Sequence, residues 1–326
     1  MPENYLAPRN RTLVQCARIA AIMLGCLWIA SCSMSSLADT FTAGQGSFEK
    51  TIAVNDTPIS VDAITASGDI TVHHGSDREV HVVGHVRIYR GVWGMPHISP
   101  AEALARLQQN PPIEQQGNSI KVGYLSDPEL THNISISYEI EVPAATRLSA
   151  RISSGSATID GINGPVEAST SSGHVTVTNI KERVQASSNS GGVDLRSIDG
   201  AATVSVSSGS IMGSDLVATN ARTVSGAVTL HQVRGACNVF VSSGSISVDG
   251  APTAPWNLHS NSGPVSIRVT DQPHFELKAH VLSGGIHSSL PVTVMGSSAN
   301  NLLVGSVGGG GPLVELSAVS GNISIE

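Results

Sequence analysis

The chain has 326 residues, enough for one large or two ordinary domains, and a formal net charge of −7. Aromatic residues make up 3% of it and charged residues 13%, against 40% hydrophobic residues. This balance is unusual for a globular enzyme of such length, and it favours a thin core of Val, Ile, Leu and Ala. The acidic charge argues against nucleic acid as a partner.

The first 31 residues have the pattern of an export signal. Arg9, Arg11 and Arg18 precede a 13-residue apolar run that ends at Ser31, which is short for a membrane span. The segment Ile29-Ala30-Ser31-Cys32 resembles the bacterial lipobox, which implies a lipoprotein signal peptide at 1–31 and lipidation of Cys32. Residues 32–45 are then a linker.

These features predict a location in the bacterial cell envelope, with the membrane as a partner through an N-terminal lipid anchor. Ser33 after the anchor favours the outer membrane. The alternative is ordinary cleavage after Ala38, which gives a periplasmic or secreted protein. Loss of residues 1–31 removes three Arg and one Glu and leaves a net charge of −9. Cys237 is then the only cysteine besides Cys32, so no intrachain disulfide is expected.

A Ser-Gly pair recurs through the second half of the chain at gaps of 18, 18, 18, 17, 18, 19, 21 and 37 residues. A fixed period this short is typical of a solenoid, in which each repeat forms one coil. We expect the glycines to be structural turns and the serines before them to form a hydroxyl ladder that satisfies turn backbone groups. The glycines are Gly155, Gly173, Gly191, Gly209, Gly226, Gly244, Gly263, Gly284 and Gly321.

Apolar residues stand two and four positions after most of the glycines and five and seven positions before most of them, with mainly polar residues between them. Alternation of this kind places one face of each strand in a core. The predicted fold is therefore all-β: a parallel β-solenoid over 46–326, built from two-strand coils of about 18 residues that stack in chain order.

The N-terminal part follows the same rules less regularly. Ser67-Gly68 matches the repeat, and alternating strands are predicted at 79–88 and 134–143. Between them Ser99 is a plausible N-cap for a short helix that ends near Leu107. Residues 91–118 are therefore predicted to be a helical excursion that forms a cap on the open end of the solenoid or a lateral flap.

The strand Tyr138-Glu-Ile-Glu-Val-Pro143, followed by Ser-Gly-x-hydrophobic-x-hydrophobic repeats, resembles a bacterial β-strand-repeat family known as "putative adhesins". The resemblance covers residues 46–326. It implies a β-solenoid and an envelope location, and it supplies no catalytic residue, since the domain is one of unknown function.

Three other features of the sequence are candidates for a functional site. A histidine cluster suggests metal, but no Cys or tight Asp/His spacing supports it, so polar strand residues are favoured and no cofactor is expected. Cys237 is predicted to be a core residue, and Trp256 to lie in the core or at a groove. The clustered histidines are His73, His74, His81, His85 and His97.

We therefore expect a non-catalytic, envelope-anchored lipoprotein with an adhesin-like binding or structural domain and a protein or glycan surface as partner. The alternative is a β-helix enzyme acting on polysaccharide, a lyase or a glycoside hydrolase. Asp194 and Arg196 share an outward strand face, but Asp160 and Arg268 are several coils away. The repeated serines have no His and acid beside them, as a nucleophile would require.

Overall fold

The structure is a computed structural model that describes residues 42–55, 58–90, 98–270, 274–295 and 300–326. Cys32, the predicted signal peptide and His97 lie outside these residues. Within the described ranges, no helix has the length and apolar character needed to cross a membrane.

One set of parallel strands leads into the Ser-Gly corners. Two long strands, β13 (Val193–Ser208) and β14 (Ile211–Ser225), run from one corner to the next. The other members are β2 (Ile59–Ser67), β8 (Thr146–Ser154), β10 (Val166–Ser172), β12 (Val184–Ser190), β16 (Cys237–Ser243), β18 (Trp256–Ser262), β20 (Phe275–Ser283) and β24 (Leu313–Ser320).

A second set of parallel strands leaves the corners. It is completed by the first halves of β13 and β14. Its other members are β3 (Ile70–His74), β9 (Ala157–Asp160), β11 (Val175–Ile180), β15 (Val228–Val233), β17 (Ile246–Gly250), β19 (Val265–Val269), β21 (Ile286–Ser288) and β25 (Ile323–Ile325).

The coils stack in register, so equivalent side chains form columns. Val166 pairs with Leu148 on one side and with Val184 on the other, and the same columns continue through the stack. Buried residues alternate with exposed ones along each strand, as in the pattern BeBiBee of β10 (B buried, i intermediate, e exposed). The apolar columns form one continuous core, which confirms the predicted parallel β-solenoid.

Each corner depends on a glycine that sits on the glycine of the coil below. Gly191 has φ +136°, and a Cβ built there would lie 1.9 Å from the carbonyl oxygen of Gly173. No side chain fits in that space, and the backbone conformation itself is open only to glycine. Nine such glycine-on-glycine corners are described, from Gly155 to Gly284 in stacking order, and a tenth corner glycine, Gly68, sits on the carbonyl of Ile136 instead.

The serines before the glycines act differently from the predicted hydroxyl ladder. Ser172 and Ser190 are exposed, and their backbone carbonyls, not their hydroxyls, accept from Gly155 N (2.9 Å) and Gly173 N (3.0 Å). Buried hydroxyls two positions earlier make the side-chain bonds: Thr170 donates to the Gly155 carbonyl at 3.0 Å. The hydroxyl column therefore lies inside the coil, where an unpaired carbonyl would be costly.

The first end of the stack is closed by non-repeat elements. These are β1 (Thr42–Ala53), β4 (Glu79–Tyr89), helix α1 (Pro100–Gln109), β5 (Ile113–Gln116), β6 (Ser119–Val122), a 3₁₀ turn (Pro128–Leu130) and β7 (Ile134–Val142). Strand β6 pairs with the free edge of β2, and β7, β4 and β1 extend the sheet beyond β3. These strands cover edges that would otherwise be open to pairing.

Helix α1 forms as the sequence predicts. The Ser99 hydroxyl accepts from Glu102 N at 3.2 Å, and Leu107 is buried. Leu104 packs on β1 so closely that a Cβ on Gly46 would lie 2.6 Å from it. The helical excursion therefore packs at the capped end of the solenoid.

The other end departs from the predicted chain order. Strand β24 lies between β18 and β20, so the last coil of the chain is inserted beneath the coil that precedes it. The backbone shows the same order, because Gly263 N donates to Ser320 O and Gly321 N donates to Ser283 O. An antiparallel hairpin, β22 (Thr293–Val294) and β23 (Leu302–Val307), accounts for the 37-residue gap, and β23 covers the outer edge of β20.

The corner geometry predicts a large penalty for a single methyl group. Gly191→Ala combines a backbone conformation that alanine rarely adopts with a contact to the Gly173 carbonyl, so we expect a loss of at least about 2 kcal/mol in the free energy of unfolding. Gly285→Ala is the control, since a Cβ there meets nothing within 4 Å. Urea denaturation measures both; equal midpoints would contradict the role assigned to the corner.

A buried hydroxyl without a hydrogen-bond partner predicts that a substitution can also raise the free energy of unfolding. Thr219 is 1% exposed, and its Oγ1 has no hydrogen-bond partner among the described residues. Thr219→Val should raise the free energy of unfolding by about 1 kcal/mol, because it removes an unsatisfied polar atom at constant shape. Thr170→Val should lower it by a similar amount, because Thr170 donates to Gly155. Thermal or urea unfolding of the two variants compares them directly.

Candidate functional site

A shallow groove of about 350 Å³ runs along the outer face of β13, β14, β16 and β18. We call it the axial groove, because it crosses four successive coils. Its floor contains the strand segments at Val204, Ala221 and Val239. One wall is the column Thr203, Asn220, Asn238 and Asn257, and the other is the column Ser205, Arg222, Phe240 and His259.

The first wall is a ladder of three asparagines on adjacent coils. Asn238 Nδ2 donates to Asn220 Oδ1 at 2.9 Å, and all three side chains belong to exposed residues. An amide carries two donor hydrogens and an acceptor oxygen, so a bond to one neighbour leaves capacity for a ligand. The in-register backbone places these amides about 4.8 Å apart.

The second wall is a stack of three planar groups. The Arg222 guanidinium carbon lies 4.7 Å from the centre of the Phe240 ring. On the other side, the Phe240 and His259 rings are stacked with centroids 5.2 Å apart and planes 18° apart. His259 is fixed in turn, since Nδ1 lies 2.6 Å from Ser317 Oγ and Nε2 lies 2.9 Å from Asn261 Oδ1.

Arg222 holds a positive charge that no carboxylate in the described structure neutralises. Cations elsewhere on the stack differ: Arg234 pairs with Asp215 at 2.7 Å, and Lys278 pairs with Glu315 at 2.7 Å. The eight residues of the two walls include no acid. The groove is therefore a locally basic strip on an acidic protein, with guanidinium donors held in place by the ring beneath them.

The residues considered for polysaccharide cleavage do not form one site. Arg196 Nη2 lies 2.6 Å from Asp194 Oδ2, so these two neutralise each other. Asp160 accepts from Asn179 at 2.9 Å, and Arg268 pairs with Glu326 at 3.1 Å, each on a different coil. Two carboxylates facing one bond, which glycoside hydrolysis requires, are not brought together by these residues.

A Ser-His-Asp row does occur on the outer face of the second strand set. Ser214 is the register partner of His231, and His231 Nδ1 is hydrogen-bonded to Asp249 Oδ2. In the described structure no hydrogen bond joins the Ser214 hydroxyl to His231. The His231 side chain is more than half exposed. A serine nucleophile needs that hydrogen bond and donors for the oxyanion, and of the contacts in such a triad this row supplies the His231–Asp249 bond.

A second polar network involves Tyr124, Asp62 and Arg151. The Tyr124 hydroxyl donates to Asp62 Oδ2 at 2.6 Å, and Arg151 Nη2 lies 2.9 and 2.8 Å from the two Asp62 oxygens. The bond to Asp62 and partial burial raise the pKa of Tyr124. A tyrosine that serves as a base must lose its proton, so this shift opposes a role for Tyr124 as a general base.

The four histidines of the cluster that the structure describes each contact a different carboxylate at the capped end. His73 Nε2 lies 3.4 Å from Glu141, His81 Nε2 3.5 Å from Glu49, and His85 Nε2 3.4 Å from Glu139. His74 faces Asp77 in the same way. The described residues contain no group of three or more His, Cys, Asp or Glu side chains arranged to hold a metal ion.

Cys237 and Trp256 are both core residues. Cys237 is fully buried, and burial raises the pKa of its thiol to about 12, so it stays protonated. Trp256 is 1% exposed, and its indole nitrogen donates to Gly235 O at 2.8 Å. The alternative in which Trp256 marks a groove is wrong, because the groove lies on the opposite, outer face of the same strand.

The wall residues were not singled out in the sequence, although two signals point to them. Asparagine occupies the position six residues before the corner glycine in three consecutive repeats, and Phe240 has the outward parity of its strand. Only the register shows that Arg222, Phe240 and His259 are adjacent. The repeat period alone leaves their contact geometry open.

These features define a β-solenoid repeat protein. Residues 139–326, more than half of the chain, match the family described as Toastrack DUF4097, so the chain belongs to the Toastrack DUF4097 family. This confirms the resemblance inferred from the Tyr138–Pro143 strand and the repeats. No curated protein matches the chain.

Solved structures with similar folds are distant. A "putative adhesin" from Bacteroides fragilis NCTC 9343 is 11% identical, covers 87% of this chain and 99% of its own, and has a TM-score of 0.37. A "putative adhesin" from Parabacteroides distasonis ATCC 8503 is 12% identical, with coverages of 87% and 98% and a TM-score of 0.32. A "putative lipid binding protein" from the same organism is 12% identical, with coverages of 85% and 96% and a TM-score of 0.40.

Proposed function

We propose that this protein is a non-catalytic binding protein, held at the bacterial cell envelope by a lipid on Cys32, that presents the axial groove to an extended partner. The observation that carries the proposal is the Arg222–Phe240–His259 stack facing a three-asparagine ladder across four in-register coils. Solenoids use long regular faces of this kind to bind extended partners.

The support beneath the groove favours binding without rearrangement. Its four strands pair on both sides, and the inward side chains below the walls, such as Val204 and Leu258, are buried. Arg222 and His259 are held by contacts to the neighbouring coils. Groups that are already ordered lose little conformational entropy when a partner binds.

The position of the groove suits a protein displayed from a membrane. Strand β1, the first described element after the proposed anchor, lies at the capped end, and the groove begins on the coil whose corner is Gly209. Four coil steps separate Gly68 from Gly209, or about 19 Å along the stack. Strand β1 and the groove therefore lie well apart along the stack, which supports a groove that stays accessible when the chain is anchored through Cys32.

Lipidation is tested at the anchor residue. Cys32→Ala should move the protein from the membrane fraction to the soluble fraction of the envelope, because the acyl chains supply the attachment. Cys26→Ala is the matched control and should leave the partition unchanged. Detergent partitioning with immunoblotting measures both variants. Continued membrane association of the Cys32 variant would refute the anchor.

Binding through the groove is tested on cells that display the protein. Adherence to a panel of immobilised neutral polysaccharide, acidic polysaccharide and matrix protein should exceed that of cells without the protein on at least one surface. The double variant Arg222→Gln/Phe240→Ala should reduce that adherence to background, because it removes both the free cation and its ring support.

Arg268→Gln is the control for that experiment, since Arg268 is an exposed arginine on the other strand set and is paired with Glu326. It should retain full adherence at equal surface expression. If the double variant adheres as well as the wild type, the axial groove is not the binding face and the proposed function fails.

A further inference from the structure

We propose that the axial groove binds a linear polysaccharide that bears carboxylate groups, with Arg222 as the carboxylate subsite. This ligand class rests on the proposed function and narrows it.

The shape selects a linear ligand. The groove follows the stacking axis over four coils, a span of about 14 Å at the strand spacing of a sheet. Its floor is strand backbone at residues such as Ala221 and Val239, whose side chains point into the core. An extended polymer lying along the axis would contact all four coils at once, whereas a compact ligand would contact only one or two.

The hydrogen-bonding groups select a hydroxyl-rich ligand. The asparagine ladder offers donors and acceptors at each coil, and a sugar hydroxyl both donates and accepts. The faces of Phe240 are already covered by Arg222 and His259, so the ring is not free to stack on a ligand. Recognition therefore depends on polar contacts and charge, which disfavours nucleobases and apolar partners.

The charge selects a carboxylate. Arg222 lies at the middle of the groove, makes no ion pair within the described residues, and has no acid in either wall. A guanidinium group binds a carboxylate through two parallel hydrogen bonds. The cation–π contact with Phe240 holds the guanidinium plane and reduces the entropy lost when the ligand binds.

An acidic peptide fits this groove less well. Extended peptides commonly add a strand to an open sheet edge, which satisfies their backbone groups. Strands β13, β14, β16 and β18 lie inside the stack and pair on both sides, so they offer no edge here. A peptide on this face would leave most of its amide groups without backbone partners.

The test compares one polymer with and without its charge. Isothermal titration of the purified full-length chain should show binding of oligogalacturonate and at least about tenfold weaker binding of its methyl ester, because esterification removes the partner of Arg222. Arg222→Gln should weaken acid binding about tenfold and leave ester binding unchanged. Asn238→Ala should weaken the binding of the acid and of the ester equally, and Arg268→Gln should change neither.

Salt and a peptide probe complete the experiment. Acid binding should weaken between 50 and 200 mM NaCl, and ester binding should not, since only the former includes an exposed ion pair. Polyglutamate should bind more weakly than oligogalacturonate. Circular dichroism and thermal unfolding would verify that Arg222→Gln remains folded, which is expected for an exposed residue.

The outcomes separate this inference from the proposed function. Equal binding of acid and ester, with an effect of Asn238→Ala, would overturn the carboxylate subsite and leave a glycan-binding groove. Polyglutamate binding as tight as oligogalacturonate would overturn the polysaccharide and leave a protein partner. Failure of oligogalacturonate to bind, or binding unaffected by Arg222→Gln, would also overturn the inference. The proposed function itself is overturned only if the Arg222→Gln/Phe240→Ala variant adheres as well as the wild type.

Discussion

The contact between glycines of successive coils is the constraint on which the rest of the structure depends. Each corner glycine lies so close to the carbonyl below it that no Cβ fits, as at Gly191 over Gly173. This contact fixes the vertical spacing and the register of every coil. Register in turn aligns the core columns, the buried hydroxyls and the outward walls of the axial groove.

The periodic part of the fold could be predicted from the sequence because one local rule repeats. The alternation around Gly155, Gly173 and their equivalents determines which face is buried, since a one-residue slip would expose the core. The helix was predictable as well, because Ser99 and Pro100 are local signals of a helix start. Each of these predictions depended on residues that are close in the chain.

Pairings between residues that are distant in the chain were harder to predict from the sequence. Nothing local distinguishes the coil at Gly321 from its neighbours, yet it pairs between the coils of Gly263 and Gly284. The candidate site had the same limitation, because Arg222, Phe240 and His259 are separated by 18 and 19 residues and become a stack only through the register. Outward parity was predictable, but the contacts across coils required the structure.

The insertion of the coil at Gly321 has a consequence for the order in which the stack can form. A polypeptide whose N-terminus emerges first can add coils one at a time up to the coil of Gly263. The coil of Gly284 gains its final neighbour only after residues 313–326 have emerged, since β24 and β25 lie between the coils of Gly263 and Gly284. Until residues 313–326 have been added, two strand edges lack their partners, one on the coil of Gly263 and one on the coil of Gly284, so the two coils cannot close on each other directly.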